Sequence, residues 1–432
     1  MSISLHTLHS YAEKDPFAIK LFIFLTILSG MPLKKIRVKN FKCLEDIEME
    51  VRPLTILIGP SGSGKSSILQ ALLLLKKFVV QSNLLNLDIL GNFTDIDYLN
   101  LGRYEELVYK HDTEKNIEVG IDVDADIPIS YTVVFSKYRC KASLSSSLLK
   151  GMNVEFTLPY PLNVTVNGEI SLDRNYKVIW NGITLQAAEQ LPQIEQLKDL
   201  NPHLTYIRGI YFISNRNYFR SWSYGYGASI DYNQLTLTDL QLINILALYS
   251  DIEEKVATWC KAITDTDMVV KTLPGNLMKL ESRYKIIRVP IVLDGAGINR
   301  LVYIFSMLAN KETKLLLLEE PEVNMHPKLL FELGRHLPKI LKEESKQVMI
   351  TTHSEHLLLG VLVSIAEGLS SKDDVAIYSM QKEGLSAKAK MLKINEIGQI
   401  EGGIEGFFEV DWDITTQYIN AIVKSKVEKH SE

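Results

Sequence analysis

The chain has 432 residues, of which 46% are hydrophobic and 23% charged, a balance that excludes a disordered or low-complexity polypeptide. Its formal charge of −5 excludes the global basic footprint of an obligate nucleic-acid binder while leaving room for a local basic face. Cys43, Cys140 and Cys260 are far apart and lack metal-ligand spacing, which suits a reducing cytoplasmic compartment without structural disulfides. This length exceeds one comfortable core, so either a large domain with an embedded subdomain or two domains is expected.

In chain order, the first apolar stretch is Phe17 to Leu28, interrupted by Lys20. It is shorter than the roughly 20 apolar residues that span a bilayer and lacks a charged leader, so no stable membrane insertion is expected. Residues 1–30 read either as an N-terminal extension ahead of a native start at Met31 or as a packed N-terminal helix or weak membrane contact. Leu33 to Phe41 and Cys43 to Val51 alternate apolar and polar residues, predicting two half-buried strands that lead into a third at Leu54 to Ile58. Short segments of β character between Glu106 and Leu185, beginning with ELVYK, predict an inserted antiparallel region. Within it, Lys137 to Lys141 reads as a solvated hairpin end. Leu204 to Ile213 has the composition of a buried strand. It precedes SNRNYFRSWSYGYG, where Arg216 and Arg220 sit among aromatics that suit packing over a core or, alternatively, phosphate contact and base stacking. Leu235 to Tyr249 and Ile252 to Thr264 have helical spacing and predict a lateral helical part without a coiled-coil arm. The organisation expected is thus 1–30, then a core half at 31–105, a β-rich and helical lateral region at 106–290, and a second core half at 291–432.

The chemistry concentrates in three stretches. LTILIGPSGSGKSSILQALLLL runs from an apolar strand through a Gly/Ser turn into a Leu-rich helix and fits Gly59-x-x-x-x-Gly64-Lys65-Ser66. Glycines let backbone N–H groups crowd a polyphosphate, the helix start adds positive potential, Lys65 supplies a point charge and Ser66 a hydroxyl for Mg2+. The cradle expected for ATP is Gly59, Pro60, Ser61, Gly62, Ser63, Gly64, Lys65, Ser66 and Ser67. Next, KLLLLEEPE delivers Glu319 and Glu320 at the end of a four-leucine strand, where ligands bind in open α/β sheets. One carboxylate suits Mg2+ and the other the attacking water. Finally, VMITTHSEHLLLG ends a strand at His353, placed to hydrogen-bond a terminal phosphate or the attacking water, while His326 reads as structural or interfacial. Asp294-Gly295-Ala296-Gly297 opens an amphipathic helix, an ordinary helix start when taken alone.

In this order, a strand pair ending in NFK, GPSGSGKSS, the GAG turn, LLLLEEPEVNMHP and ITTHSEHLL resemble the ABC-type ATPases of the OLD and RecF-like branch, often labelled AAA-family ATPases. The resemblance covers most of Leu33 to Gly360. It implies an α/β P-loop fold of the ABC-ATPase-head type, with a mixed sheet core, an antiparallel β region and a lateral helical part. It further implies a homodimer of heads sandwiching ATP and Mg2+. Lys65 and Ser66 then take phosphates and metal, Glu319 the metal-orienting role, Glu320 water activation and His353 the switch role. Asp294 to Gly297 would complete the neighbour's site, with Ala296 and its neighbours where the family's signature serine stands, and Gln81 is the candidate for the glutamine loop. Partners implied are a separate effector or nuclease subunit or a nucleic acid, in DNA repair or antiviral defence. A nucleotide-gated scaffold or sensor with little turnover is the alternative.

Overall fold

The computed structural model describes residues 33–80, 95–96, 99–125, 128–137, 139–146, 149, 151–157, 165–171, 175–188 and 200–403. The expectations for residues 1–30 and for Gln81 lie outside these. A six-stranded sheet carries the strand that leads into the Gly59–Ser67 turn. Its members in chain order are β3 (Leu54–Ile58), β11 (Ile210–Ile213), β15 (Leu315–Glu319), β16 (Gln347–Thr352), β17 (Val375–Glu383) and β18 (Ser386–Leu392). The spatial order is β11-β15-β16-β3-β17-β18, parallel throughout except for the closing hairpin of β17 and β18. Every residue of β3 is buried, as a strand covered on both faces requires.

Strands β1 (Leu33–Phe41) and β2 (Leu44–Glu50) instead belong to an antiparallel sheet. Its other members are β4 (Ile117–Val123), β5 (Ile129–Phe135), β6 (Arg139–Ser146) and β7 (Met152–Thr157), in the order β2-β1-β4-β5-β6-β7. Here alternation decides the layer: β1 and β2 have one solvated face, which an antiparallel sheet tolerates and a central parallel strand does not. A three-stranded sheet follows, β8 (Val166–Ser171), β9 (Asn175–Trp180) and β10 (Leu185–Ala187). Helix α1 (Lys65–Val80) is wedged between the antiparallel layer and the parallel sheet and buries nearly its whole circumference. Alternate residues of the parallel sheet divide between two cores. Leu57, Leu317 and Met349 face α1, while Ile56, Leu318 and Ile350 face the helices on the other side. Gln347 ties the two sheets, accepting from Leu33 N at 2.7 Å and donating to Leu33 O at 2.9 Å.

The second face is covered by α3 (Asp239–Leu248), α4 (Ser250–Thr264), α5 (Ala296–Ala309), α6 (Pro327–Glu344) and α7 (Glu355–Ala366), after the short α2 (Pro202–Arg208). The fold is therefore mixed α/β with an antiparallel region and lateral helices, as expected. Two segments differ from the sequence reading. ELVYK is no strand: Tyr104–Leu107 forms one helical turn, in which the Glu106 side chain reaches back to the Arg103 N–H and the buried Tyr104 hydroxyl binds Lys115 O at 2.5 Å. Only the second half of Leu204–Ile213 is strand, because Pro202 at the first helical position starts α2 and pairing with β15 begins at Ile210. The lateral helices are also followed by a hairpin array, β12 (Asp267–Leu273), β13 (Leu277–Tyr284) and β14 (Ile287–Pro290).

Helices α6 and α7 cross where glycine meets backbone on both sides: a Cβ on Gly334 would lie 2.2 Å from Leu357 O, and one on Gly360 2.1 Å from Phe331 O. Two lysines are buried as braces. Lys76 of α1 donates to Ile210 O at 2.5 Å and lies 3.8 Å from the Tyr211 ring centre, while Lys346 donates to Leu308 O and, at 2.8 Å, to Asn310 O beyond α5. Burial pushes both amines down to about 7.

Candidate functional site

Three consecutive parallel strands end level with one another. The register pairs Thr352 with Ile58 and Thr351 with Glu319, so the loops after β3, β15 and β16 emerge side by side. This brings the Gly59–Ser67 turn, the Glu319–Glu320 pair and His353 to one sheet edge, although they are far apart in sequence.

The turn has the shape that its glycines permit. Gly59, Gly62 and Gly64 all have positive φ, and a Cβ on Gly59 would stand 2.1 Å from Met380 O, which leaves glycine as the one fit. Lys65 is almost wholly buried at the start of α1, and its Nζ donates to Gly59 O at 2.8 Å and Pro60 O at 2.9 Å. The ammonium is thus folded over the turn with the loop's own carbonyls as partners. Burial lowers its pKa, opposed by the charges of Glu320 and Glu322. The Ser63 hydroxyl is buried and has no partner among the described residues. A glycine-lined cradle, an inward lysine and an orphaned hydroxyl fit an anionic polyphosphate ligand.

On the facing strand, Glu320 takes φ of 45°, a left-handed backbone unusual for a side chain, and its N–H donates to Thr351 O at 2.9 Å. The His353 ring stands 3.9 Å from the Glu320 carboxylate, and both side chains are about one-third exposed. Glu322, for which the sequence alone shows no role, closes the arrangement: its carboxylate accepts from His353 N at 2.7 Å and from Thr352 Oγ1 at 2.9 Å. Its spacing after Glu320 was visible, yet nothing in sequence shows a clamp across some thirty residues. Two further groups were missed. Lys42, from the β1–β2 turn, donates to Gln70 Oε1 of α1 at 2.7 Å, and burial lowers its pKa against the charges of Cys43 and Glu319. Arg300 of α5 reaches the carbonyls of Ser214, Asn217 (2.8 Å) and Glu319 (3.5 Å), joining α5 to the end of β15.

Asp294 to Gly297 lies elsewhere. The Asp294 carboxylate accepts the Tyr284 hydroxyl at 2.8 and 2.9 Å and Gly295 N at 2.8 Å, with Gly295 and Ala296 exposed at the start of α5. No hydrogen bond among the described residues joins this turn to the Gly59–Ser67 loop. His326 caps α6, its Nδ1 accepting from Lys328 N at 3.2 Å. Among the described residues, no cluster of three or more His, Cys, Asp or Glu side chains suits a metal, and no helix is long and apolar enough to cross a membrane.

Residues 31–153 and 185–358 match a family described as an AAA ATPase domain. The chain is similar to OLD nuclease of Thermus scotoductus, 24% identical over 358 residues, covering 74% of this chain and 59% of that protein. It is also similar to endonuclease GajA of Bacillus cereus, 25% identical over 358 residues, covering 76% of this chain and 56% of that one. The chain therefore spans somewhat more than half the length of each. Among solved structures it is similar to an SMC head domain from Thermotoga maritima, with TM-score 0.42 and 12% identity over 84% of this chain and 100% of that one. A second is an Smc head bound to the C-winged helix domain of ScpA, with TM-score 0.46 and 12% identity over 84% and 98%.

Proposed function

This chain belongs to the AAA ATPase domain family, in its OLD and RecF-like branch, and from that premise we propose that it hydrolyses ATP with Mg2+ and uses nucleotide-dependent dimerisation to switch a partner. The observation that carries this reading is the common strand edge, where the Gly59–Ser67 turn, Glu319, Glu320 and His353 emerge side by side, with Glu320 and His353 3.9 Å apart.

In this reading the backbone of Gly59 to Gly64 with Ser61, Ser63 and Ser67 cradles the polyphosphate. Lys65 exchanges the carbonyls of Gly59 and Pro60 for phosphate oxygens, a charge-assisted replacement that leaves no buried cation unpaired. Ser66 and Glu319 would hold Mg2+, which neutralises charge developing on the transferred phosphoryl group. Glu320 orients and deprotonates the attacking water, and His353 hydrogen-bonds the terminal phosphate. Glu322 is the positioning residue that fixes His353 through its backbone. At the start of α5, where Gly295 and Ala296 are exposed, Asp294, Gly295, Ala296 and Gly297 complete a second copy's site, which makes turnover depend on the dimer.

Two relatives are named nucleases. We extend that to this chain as an effector relationship, with a separate nuclease or another effector subunit answering to the ATP state, in repair or antiviral defence in the cytoplasm. The deciding experiment measures ATP turnover and molar mass for the wild type and Glu320→Gln. Turnover in the wild type, with loss of at least about a hundredfold and an ATP-stabilised dimer in the variant, is expected. A wild type that binds ATP yet neither turns it over nor dimerises would replace this reading with that of a nucleotide-gated sensor.

A further inference from the structure

The loop after β11, Ser214 to Gly227, is used by none of the chemistry above. Its fourteen residues, SNRNYFRSWSYGYG, contain no carboxylate and no aliphatic side chain, in a chain whose formal charge is −5. Tyr218, Trp222 and Tyr226 are 44%, 52% and 49% exposed, and Arg216 and Arg220 alternate with the first two. Below the loop is a cavity of about 320 Å³ lined by both arginines and by the hydroxyl-bearing Thr236 and Thr238. Asp239 is the cavity's one carboxylate, and the loop itself engages it: the acid accepts from Arg220 N and the Tyr224 hydroxyl, both at 3.1 Å.

These rings are held out by a rigid frame. Asn299 of α5 brackets Phe219, accepting from its N–H and donating to its carbonyl, both at 2.9 Å. Asn244 of α3 holds Gly225 and Gly227 at 3.0 and 2.8 Å, and the Tyr224 hydroxyl accepts from Ser221 N at 2.9 Å. Phe219 is buried as the anchor, whereas Arg220 stacks over Tyr218 at 5.0 Å and Lys279 over Trp222 at 4.8 Å. Exposed aromatic rings, two of which are backed by cations, in alternation with guanidinium groups are the elements of a stacking platform for unpaired bases with charge for the backbone between them.

We propose that Ser214 to Gly227, with the cavity beneath it, is a contact site for single-stranded nucleic acid. Bases stack on Tyr218, Trp222 and Tyr226, and phosphates meet Arg216 and Arg220. A protein hot spot also uses Tyr, Trp and Arg, but the loop itself carries no carboxylate and no aliphatic side chain, and its charged side chains, Arg216 and Arg220, are cationic.

The test is fluorescence polarisation of a labelled oligo(dT) of about 15 nucleotides over a salt series, on the full chain without ATP. The wild type should bind, with affinity falling as salt rises. Trp222→Ala should weaken binding about tenfold while Trp222→Phe retains it, and Arg220→Ala should flatten the salt slope by about one. Unchanged melting of each variant assigns these losses to the surface. Absence of binding by the wild type, or equal binding by Trp222→Ala, overturns the proposal. So does a Trp222→Ala variant that changes molar mass but not oligonucleotide affinity, which makes the surface a protein contact. Because no ATP is present, none of these outcomes bears on hydrolysis.

Discussion

At the residue scale, the site combines one strained backbone with one clamp. Glu320 holds a left-handed conformation that costs a side chain roughly 1 kcal/mol or more, and it persists because its N–H is bound to Thr351 O. Glycine adopts that conformation freely, so Glu320→Gly should melt no lower than the wild type while losing turnover. A melting temperature several degrees lower would show that the carboxylate stabilises the fold. Glu322→Ala removes both bonds to the His353 turn and should lower kcat about tenfold or more, with ATP affinity held within a few-fold. Equal losses in kcat and affinity would mean that the whole edge had collapsed. Lys65→Ala should abolish ATP binding in equilibrium titration. The Gly59–Ser66 turn was legible because its pattern is local, eight residues in one loop. Glu322, Arg300 and Lys42 were not, since each matters through a partner that the fold alone brings near.

At the element scale, β3, β15 and β16 were legible from continuous apolar runs and α1 from the leucines after Lys65, whereas the β17–β18 hairpin was not read from sequence. Misreadings fell where local composition was overruled. Tyr104 drew ELVYK into a helical turn by burying its ring, and Pro202 began a helix in what reads as strand. The crossing of α6 and α7 carries the sharpest stability prediction. Gly334→Ala and Gly360→Ala each push a methyl group into a facing carbonyl and should cost about 1–3 kcal/mol in denaturant unfolding. Both contacts share one crossing, so once it has opened the second substitution should cost less, and the double variant should fall short of the sum. Full additivity would mean that the two sites relax separately.

At the scale of the molecule, Lys76 and Lys346 brace the two faces of the parallel sheet from opposite sides. Each amine is depressed to about 7 in the fold and returns to the ordinary lysine range when unfolded, so between these values the unfolded chain binds more protons. Stability should therefore rise with pH from about 7 toward 10, by at most about 1.4 kcal/mol per unit for each lysine, and Lys76→Met should flatten that slope. A profile unchanged by the substitution would place the titration elsewhere.

The position of β3 also governs how the chain can be made. Its two sheet neighbours, β16 and β17, lie about 290 and 320 residues downstream. At about 5–20 residues per second, the ribosome releases LTILI and the leucines of α1 some 15–60 seconds before either neighbour exists. Through that interval an apolar strand waits with both edges unpaired, which makes this stretch the natural client of a holding chaperone. A chain stopped before Gln347 should accumulate as aggregate, however well its antiparallel layer has formed.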